Sequence, residues 1–438
     1  MHIVRGLLGI VLLLGIATLL SRHRRSIDWR LVGIGVVLQI VFGVLITQVS
    51  WITDAFNVLS RGFVVLLSFA ADGARFLFSG LAVNSYNDPE SAGHSMGVIF
   101  AFQVLPTVIF FSTVSAGLYY LGILQKIVFG IAWVMAKTMR LSGAESLSAA
   151  GNIFLGQTEA PLLVRPFVPR MTRSELMCLM TGGMATIAGG VLAAYVSFLG
   201  GNSIEEQTRF AAYLLSASIM NAPAGIVMAK IFVPEEHPES IDHELKVNKD
   251  TLGVNLIDAL SNGAAEGLKL ALNIGGMLLA FIAIIAMLNY MLSDMLGNWL
   301  GLNAWVARTT GGVFQEFSLE YLLGLLFRPL AFIMGVDWKD TLTVGSLLGQ
   351  KTAINEFIAY ASLADLKAAG QLAPRSVVIA TFALCGFSNF SSIAIQIGGI
   401  GGMAPNQQGT LSKLGLWALA AATLACMMTA TVAGMLLG

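Results

Sequence analysis

The chain has 438 residues, 56% hydrophobic and 11% charged, with 25 Lys and Arg balanced by 25 Asp and Glu. Soluble domains carry about 25% charged residues, so this composition cannot build a water-facing surface and places the chain in a bilayer. Zero net charge also argues against a nucleic-acid partner, whose phosphates demand a basic stripe. Cys178, Cys385 and Cys426 stand alone in apolar segments and offer neither a disulfide framework nor a zinc site. The five histidines lie at the ends of apolar stretches or in polar loops, which argues against haem ligation or His-based catalysis within the membrane.

A helix crosses the hydrocarbon in about 20 residues. Charge-free runs predict spans at 6–20 and 31–51, separated by Arg22, Arg24, Arg25 and Arg30. That basic cluster resists translocation, which sets the loop in the cytoplasm and the N-terminus outside. The first run has no small-residue cleavage site and so does not read as a signal peptide. Over 54–79, Asp54, Asn57, Arg61, Ser68, Asp72, Arg75 and Ser79 recur at helical spacing, predicting an amphipathic helix along the interface or against a partner subunit. A third span at 96–124 is interrupted by Pro106, and a second interfacial helix follows at 125–140. Further spans fall at 176–202, at 210–229 with a kink at Pro223, at 270–293 and at 414–438. The run at 376–412 is too long for one straight span and contains Gly386, Asn389 and a glycine cluster at 398–402, so it predicts a broken helix with a tail. The acidic, lysine-containing stretch at 233–250 reads as a cytoplasmic loop between two halves.

Two stretches do not fit single spans: 142–171 (SGAESLSAAGNIFLGQTEAPLLVRPFVPRM) and 321–360 (ending VGSLLGQKTAINEFIAY). Each sets short apolar arms around a polar centre, and neither arm can cross alone, so each predicts a re-entrant hairpin. The two also resemble each other. GAESLSAAGNIFLGQ at 143–157 matches GVDWKDTLTVGSLLGQ at 335–350, and both continue through Thr to a glutamate, Glu159 or Glu356. Each is followed by a glycine-interrupted apolar helix, GGMATIAGG at 182–190 and CGFSNFSSIAIQIGG at 385–399. An LGQ triplet arises easily by chance in a chain rich in Leu and Gly, but hairpin shape, polarity and the broken helix agree. Paired interruptions at matching positions of two halves point to the central site of a transporter.

A carboxylate at the centre of a span costs ~3 kcal/mol, which makes Glu159 and Glu356 functional candidates. The bland alternative pairs them with Arg165 and Lys351 or leaves them in water at the hairpin mouths. Around them stand Asn152, Gln157, Thr158, Thr186, Asn355, Asn389, Ser391 and Ser392, with scarcely any Arg. Amides, hydroxyls and carboxylates suit a neutral, hydroxyl-rich solute; dicarboxylates or phosphates call for Arg or Lys forks. Ser391 and Ser392 equally fit back-bonding to their own helix. Thr186 fits plain packing and Phe387 ordinary core. The glycine pairs at 182–183 and 189–190 fit close helix packing better than a phosphate cradle, because no strand precedes them and no GK[ST] follows. Unwound carbonyls at 152–158 facing Thr186 and Ile187 would suit a small alkali cation.

NIFLGQTEAPLLVRPF at 152–167, INEFIAY at 354–360 and GFSNFSSIAI at 386–395 resemble, in order and spacing, the signature segments of the concentrative nucleoside transporter family. The resemblance covers nearly the whole chain. It implies an all-α polytopic membrane protein with eight spanning helices, two re-entrant hairpins and interfacial helices in an inverted repeat. It also implies a homotrimer whose mobile transport domains move as elevators against a static scaffold. The division would be scaffold and interfacial helix at 1–124, first transport repeat at 125–232, cytoplasmic loop at 233–255, scaffold helix at 256–310 and second transport repeat at 311–438.

Residue by residue, the resemblance puts Gln157, Thr158 and Glu159 on the nucleobase, directly or through water, with Gly156 and Val191 near it. Glu356, Asn389 and Ser392 would hold the ribose hydroxyls, and Phe387 would pack on the nucleoside. Sodium would fall on the backbone carbonyls of Asn152, Leu155, Thr186 and Ile187, helped by the Thr186 hydroxyl. Proton-coupled members read QSEN where this chain reads QTEA, which favours sodium. The expected activity is sodium-driven nucleoside uptake across a bacterial inner membrane. Its partners would be nucleoside, lipid and further copies of the chain, with no organic cofactor, no nucleic acid and no enzymatic reaction. The alternatives are a proton-coupled symporter with Glu159 or Glu356 titrating, a channel, and an intramembrane enzyme using Ser391 or Ser392 with Lys351 as the only nearby amine.

Overall fold

The computed structural model describes residues 2–82, 99–201, 203–236, 239, 241–242, 244–245 and 253–437, and among them every regular element is helical. The N-terminal spans are α1 (His2–Leu19) and α2 (Trp29–Gln48). Asp28, in the basic loop between them, starts α2 by accepting from the backbone N–H groups of Arg30 and Leu31. In α3 (Ser50–Phe78), Val64, Leu67, Ala70 and Ala74 are buried, while Asp54, Asn57, Arg61, Ser68, Asp72 and Arg75 are exposed along an adjoining face. The third span is divided into α4 (Phe100–Gln103) and α5 (Leu105–Tyr120), with Pro106 in the first turn of α5. A proline is accommodated there, but it disfavours helical backbone in the residue before it, so the helix restarts instead of running through. The expected start of this span at Met96, and much of the acidic loop, lie outside the described residues. α6 (Ile123–Met139) follows.

The first repeat is α7 (Gly143–Gly151), a tip, two 3-10 turns (Ala160–Val164 and Val168–Arg170), α8 (Arg173–Ala185), a break, α9 (Gly189–Gly200) and α10 (Ile204–Phe232). The long α11 (Leu256–Asn289) ends in a π-helical stretch (Tyr290–Gly297) and is followed by α12 (Leu302–Thr309) and α13 (Leu319–Ile333). The second repeat is α14 (Thr341–Ala353), α15 (Glu356–Ala368), α16 (Pro374–Leu384), a break, α17 (Phe390–Met403) and α18 (Gln408–Leu436).

Hydrogen bonds show that both hairpins return to the face they entered. At the first, Gly143 N–H donates to the Asp242 carbonyl and the Thr172 hydroxyl to Glu235, so both ends of 142–172 meet the loop after α10. Arg22 N–H donates to the Phe232 carbonyl, which puts this face at the end of α1. At the second, Ala373 N–H donates to Asp340 at 3.0 Å, closing 340–373 on itself. Arg5, at the other end of α1, donates to the carbonyls of Phe332 and Val336. The hairpins therefore enter from opposite ends of a helix about 27 Å long, and the repeat is inverted.

The return arm of the first hairpin consists of two 3-10 turns, because Pro161, Pro166 and Pro169 each lack the N–H an α-ladder needs. Two expectations need correction. The second hairpin is not 321–360. α13 is a separate helix packed on α14 through Gly324 and Gly345, and the polar turn at 354–355 joins α14 to α15. The LGQ triplets are not equivalent either, since 348–350 lies within α14 whereas 155–157 lies past the end of α7. The true correspondence is that Glu159 and Glu356 each begin the return arm of a hairpin.

Eight helical segments among the described residues are long and apolar enough to cross a membrane. α3 is one of them by length, and the stretch at 376–412, expected to be a broken helix with a tail, forms the short helices α16 and α17 followed by the start of α18. A charged stripe along the whole of α3 would be costly in hydrocarbon, which favours the interface for that helix. α11 exposes Leu268, Leu272, Leu279, Ile282 and Met287, an apolar face suited to lipid or a neighbouring subunit.

Candidate functional site

The site starts where two helices stop. Extended backbone at Thr186 (φ −114°, ψ 171°) ends α8, and α9 restarts at Gly189. α16 ends at Leu384 and α17 restarts after Asn389. Each break frees carbonyls that need donors inside a membrane. One side chain serves both: the Asn221 amide on α10 donates to the Ala185 and Cys385 carbonyls, each at 2.7 Å. Phe387 N–H donates to the Thr186 carbonyl at 3.3 Å and the Thr186 hydroxyl to the Gly182 carbonyl at 2.9 Å. A Cβ at Gly386 would lie 2.7 Å from the Ala185 carbonyl oxygen and 2.7 Å from Cys426 Sγ, so glycine lets the two breaks abut.

The hairpin tips close over these breaks. Glu356, 3% exposed, is the first residue of α15; its Oε1 accepts from the Tyr195 hydroxyl at 2.9 Å and its Oε2 from Asn389 Nδ2 at 2.8 Å. Asn389 caps α17, and its Oδ1 accepts from Ser392 N–H at 2.9 Å and from the Ser391 hydroxyl at 2.7 Å. The carboxylate thus lies at the N-terminal ends of α15 and α17, where helix dipoles favour negative charge. Lys351 makes no direct ion pair with it among the described residues; its ammonium donates to the Ala383 carbonyl at 2.9 Å. From the first hairpin, Gln157 Nε2 donates to Ser392 Oγ at 3.1 Å, while its Oε1 accepts from Gln396 Nε2 at 3.2 Å. A continuous hydrogen-bonded chain therefore joins Tyr195, Glu356, Asn389, Ser392, Gln157 and Gln396 across the two repeats.

Four of the expected substrate residues, Gln157, Glu356, Asn389 and Ser392, belong to that chain. Glu159 instead folds back within its tip, accepting from Gly156 N–H at 3.2 Å, and no ion pair with Arg165 is found among the described residues. Thr158 is exposed, Val191 is buried one turn before Tyr195, and Phe387 is half-buried in the second break. Sequence reasoning missed Tyr195, Gln396 and Asn221. Their signals were present: Tyr195 lies four residues after Val191, Gln396 four after Ser392 on one face of α17, and Asn221 is an amide in an apolar run beside Pro223. Polar side chains in a span are functional candidates whether or not they are charged.

Beside this chain the first tip meets the first break. Phe154 carbonyl accepts from Gly189 N–H at 3.3 Å and Ile153 carbonyl from the Ser218 hydroxyl at 2.9 Å. Asn152 is 1% exposed, and both heteroatoms of its amide lack a protein partner among the described residues. It faces Gly182, where a Cβ would lie 3.1 Å from Asn152 Nδ2. The unpartnered Asn152 amide oxygen fits a hard monovalent cation, for which oxygen donors without thiolates or imidazoles are the suitable set. No cluster of three or more His, Cys, Asp or Glu that could hold a metal occurs among the described residues.

Opposed hairpins, two broken helices back to back and a buried polar chain free of Arg define a secondary transporter of the inverted-repeat class. Family models described as Na+ dependent nucleoside transporter N-terminus, nucleoside recognition gate and Na+ dependent nucleoside transporter C-terminus match residues 8–81, 101–202 and 213–434. The chain belongs to the concentrative nucleoside transporter family. An uncharacterized transporter of Haemophilus influenzae is 40% identical over 442 residues, covering 100% of this chain and 99% of its own. Mouse solute carrier family 28 member 3 is 41% identical over 444 residues, covering 98% of this chain, which spans 58% of that longer protein. The inward-facing, substrate-bound structure of CNTnw is 39% identical with a TM-score of 0.87, covering 100% of this chain and 98% of its own. An outward-facing variant of CNTnw is 38% identical with a TM-score of 0.89, with the same coverage. The family's members are transporters, not enzymes.

Proposed function

We propose that this chain imports nucleosides by sodium symport, as a homotrimer in a bacterial inner membrane, with an elevator motion of its transport domain. The observation that carries the reading is the hydrogen-bonded chain between the two hairpin tips and the two breaks. It presents a carboxylate, amides and hydroxyls, the set that reads ribose hydroxyls and a heterocycle edge. In this reading Glu356, Asn389 and Ser392 take the ribose, and Gln157, Thr158 and Glu159 take the base beside Gly156 and Val191. Phe387 packs on the nucleoside. Sodium takes the carbonyls of Asn152, Leu155, Thr186 and Ile187 with the Thr186 hydroxyl.

The coupling follows from geometry. Sodium bound between the first tip and the first break would hold 152–155 in place and so present Gln157, two residues on. Nucleoside must then tighten sodium by the same factor as sodium tightens nucleoside. With both bound, the buried polar groups are satisfied and crossing the bilayer is less costly. The moving body comprises the repeats at 125–232 and 311–438, against a scaffold that includes the helix at 256–310. We assign α1 and α2 to the moving body as well, although the resemblance groups 1–124 with the scaffold. A Cβ at Gly9 would meet the Ile333 carbonyl oxygen at 2.4 Å and one at Gly35 would meet Val227 at 2.3 Å. Gln39 also donates to the Thr429 hydroxyl at 2.7 Å. Interdigitation this close does not slide.

The test is nucleoside uptake into proteoliposomes under a sodium gradient at equal pH on both sides. Saturable uptake and counterflow are expected. Uptake that ignores sodium but follows a proton gradient would replace the sodium reading with the proton-coupled one.

A further inference from the structure

The amide of Gln157 has a fixed polarity, set by Gln396. A backbone carbonyl only accepts, so the group of Gln396 facing the Met180 carbonyl at 3.1 Å must be the Nε2 amine. Turning that amide over would set oxygen against oxygen. The same Nε2 lies 3.2 Å from Gln157, which therefore presents Oε1 to it and directs its own Nε2 at Ser392 Oγ, 3.1 Å away. Gln396 is 1% exposed, so water does not compete for these bonds. Gly183 makes room for the junction: a Cβ there would lie 2.5 Å from Gln396 Nε2 and 3.1 Å from Gln157 Cβ.

We infer that Gln396 is a positioning residue that makes Gln157 a hydrogen-bond donor towards the substrate, so the site selects bases presenting an acceptor, a ring nitrogen or carbonyl, at that edge. The inference rests on the reading that Gln157 meets the base. An unanchored glutamine would rotate about its terminal bond and accept donor and acceptor edges alike. The Met180 carbonyl, through Gln396, removes that freedom. The Nε2 amine carries two N–H groups, so one bond to Ser392 leaves another for the base.

The test compares binding to purified full-length protein, for wild type, Gln396→Met and Gln396→Glu. The probes are adenosine against its deaza analogues, each with one ring nitrogen replaced by C–H, and uridine against analogues lacking one ring carbonyl. Ribose deoxy analogues serve as the control. In wild type, removing one particular acceptor should weaken binding about tenfold, the size of one well-made hydrogen bond. Gln396→Met keeps the length but has no donor, and should reduce that penalty to under about threefold while penalties at the ribose hydroxyls held by Glu356, which Tyr195 and Asn389 position, stay unchanged. Gln396→Glu, which in ionised form can only accept, should turn Gln157 over and likewise abolish the acceptor preference. If Gln396→Met does not fold, Gln396→Glu carries the test. An acceptor penalty that survives both substitutions would overturn the role of Gln396 and leave the nucleoside reading intact. If no acceptor removal matters in wild type, the base contact of Gln157 fails and this inference fails with it.

Discussion

Replacing Glu356 by Gln tests the ribose contact with little disturbance to the surrounding structure. Asn389 cannot turn over, because its Oδ1 is held by Ser392 N–H at 2.9 Å and Ser391 at 2.7 Å, so its amine continues to donate to the glutamine oxygen. The Tyr195 hydroxyl, now 2.9 Å from Oε1, can rotate to accept from the new amine. The structural cost should stay near one neutral hydrogen bond, about 1 kcal/mol. The substrate loses more. The carboxylate has about four acceptor sites and spends two on protein, leaving two for hydroxyls. Hydrogen bonds to charged groups contribute about 1.5–3 kcal/mol against about 1 for neutral ones, so two ribose contacts should lose about 2 kcal/mol, roughly 30-fold in affinity. Calorimetric binding of uridine and its deoxyribose analogues to the purified protein checks this. Weaker uridine binding with smaller deoxy penalties is expected. Affinity within about threefold of wild type, with unchanged deoxy penalties, would refute the placement of ribose on Glu356.

Thr186→Ala should raise the sodium concentration for half-maximal uptake several-fold and leave nucleoside selectivity intact; an unaltered sodium response would remove Thr186 from the ion site. Gly386→Ala forces a methyl against the Ala185 carbonyl and Cys426, and overpacking of this kind costs about 1–3 kcal/mol, read as a lower unfolding temperature in detergent. A wild-type unfolding temperature would show that the breaks do not abut. Lys230 pairs with Glu145 in a buried position and donates to Ser174 at 3.0 Å. Lys230→Met should therefore destabilise by about 3–5 kcal/mol, most of it recovered when Glu145→Gln is added; purely additive losses would contradict the pairing.

The two breaks were legible in sequence because GGMATIAGG and CGFSNFSSIAI place glycine and hydroxyl residues where a span should be uniformly apolar. Glu159 and Glu356 stood out for the same reason: a charge in hydrocarbon is costly enough to be conspicuous. The arms of the hairpins were less legible. Apolar periodicity does not distinguish an α-helix from the 3-10 turns imposed by Pro161, Pro166 and Pro169, and α13 is as apolar as a hairpin arm.

The sequence by itself determined the solvent of the fold and the paired interruptions that mark its centre, because each depends on transfer energies that act locally along the chain. Only the tertiary structure decided that one amide, Asn221, serves both breaks. It also decided that Gln157 reaches Ser392 and Tyr195 reaches Glu356, pairs separated by 235 and 161 residues. Hydrogen-bond direction exists only between groups already brought together, so the polarity of the site belongs to the packed molecule and not to the chain.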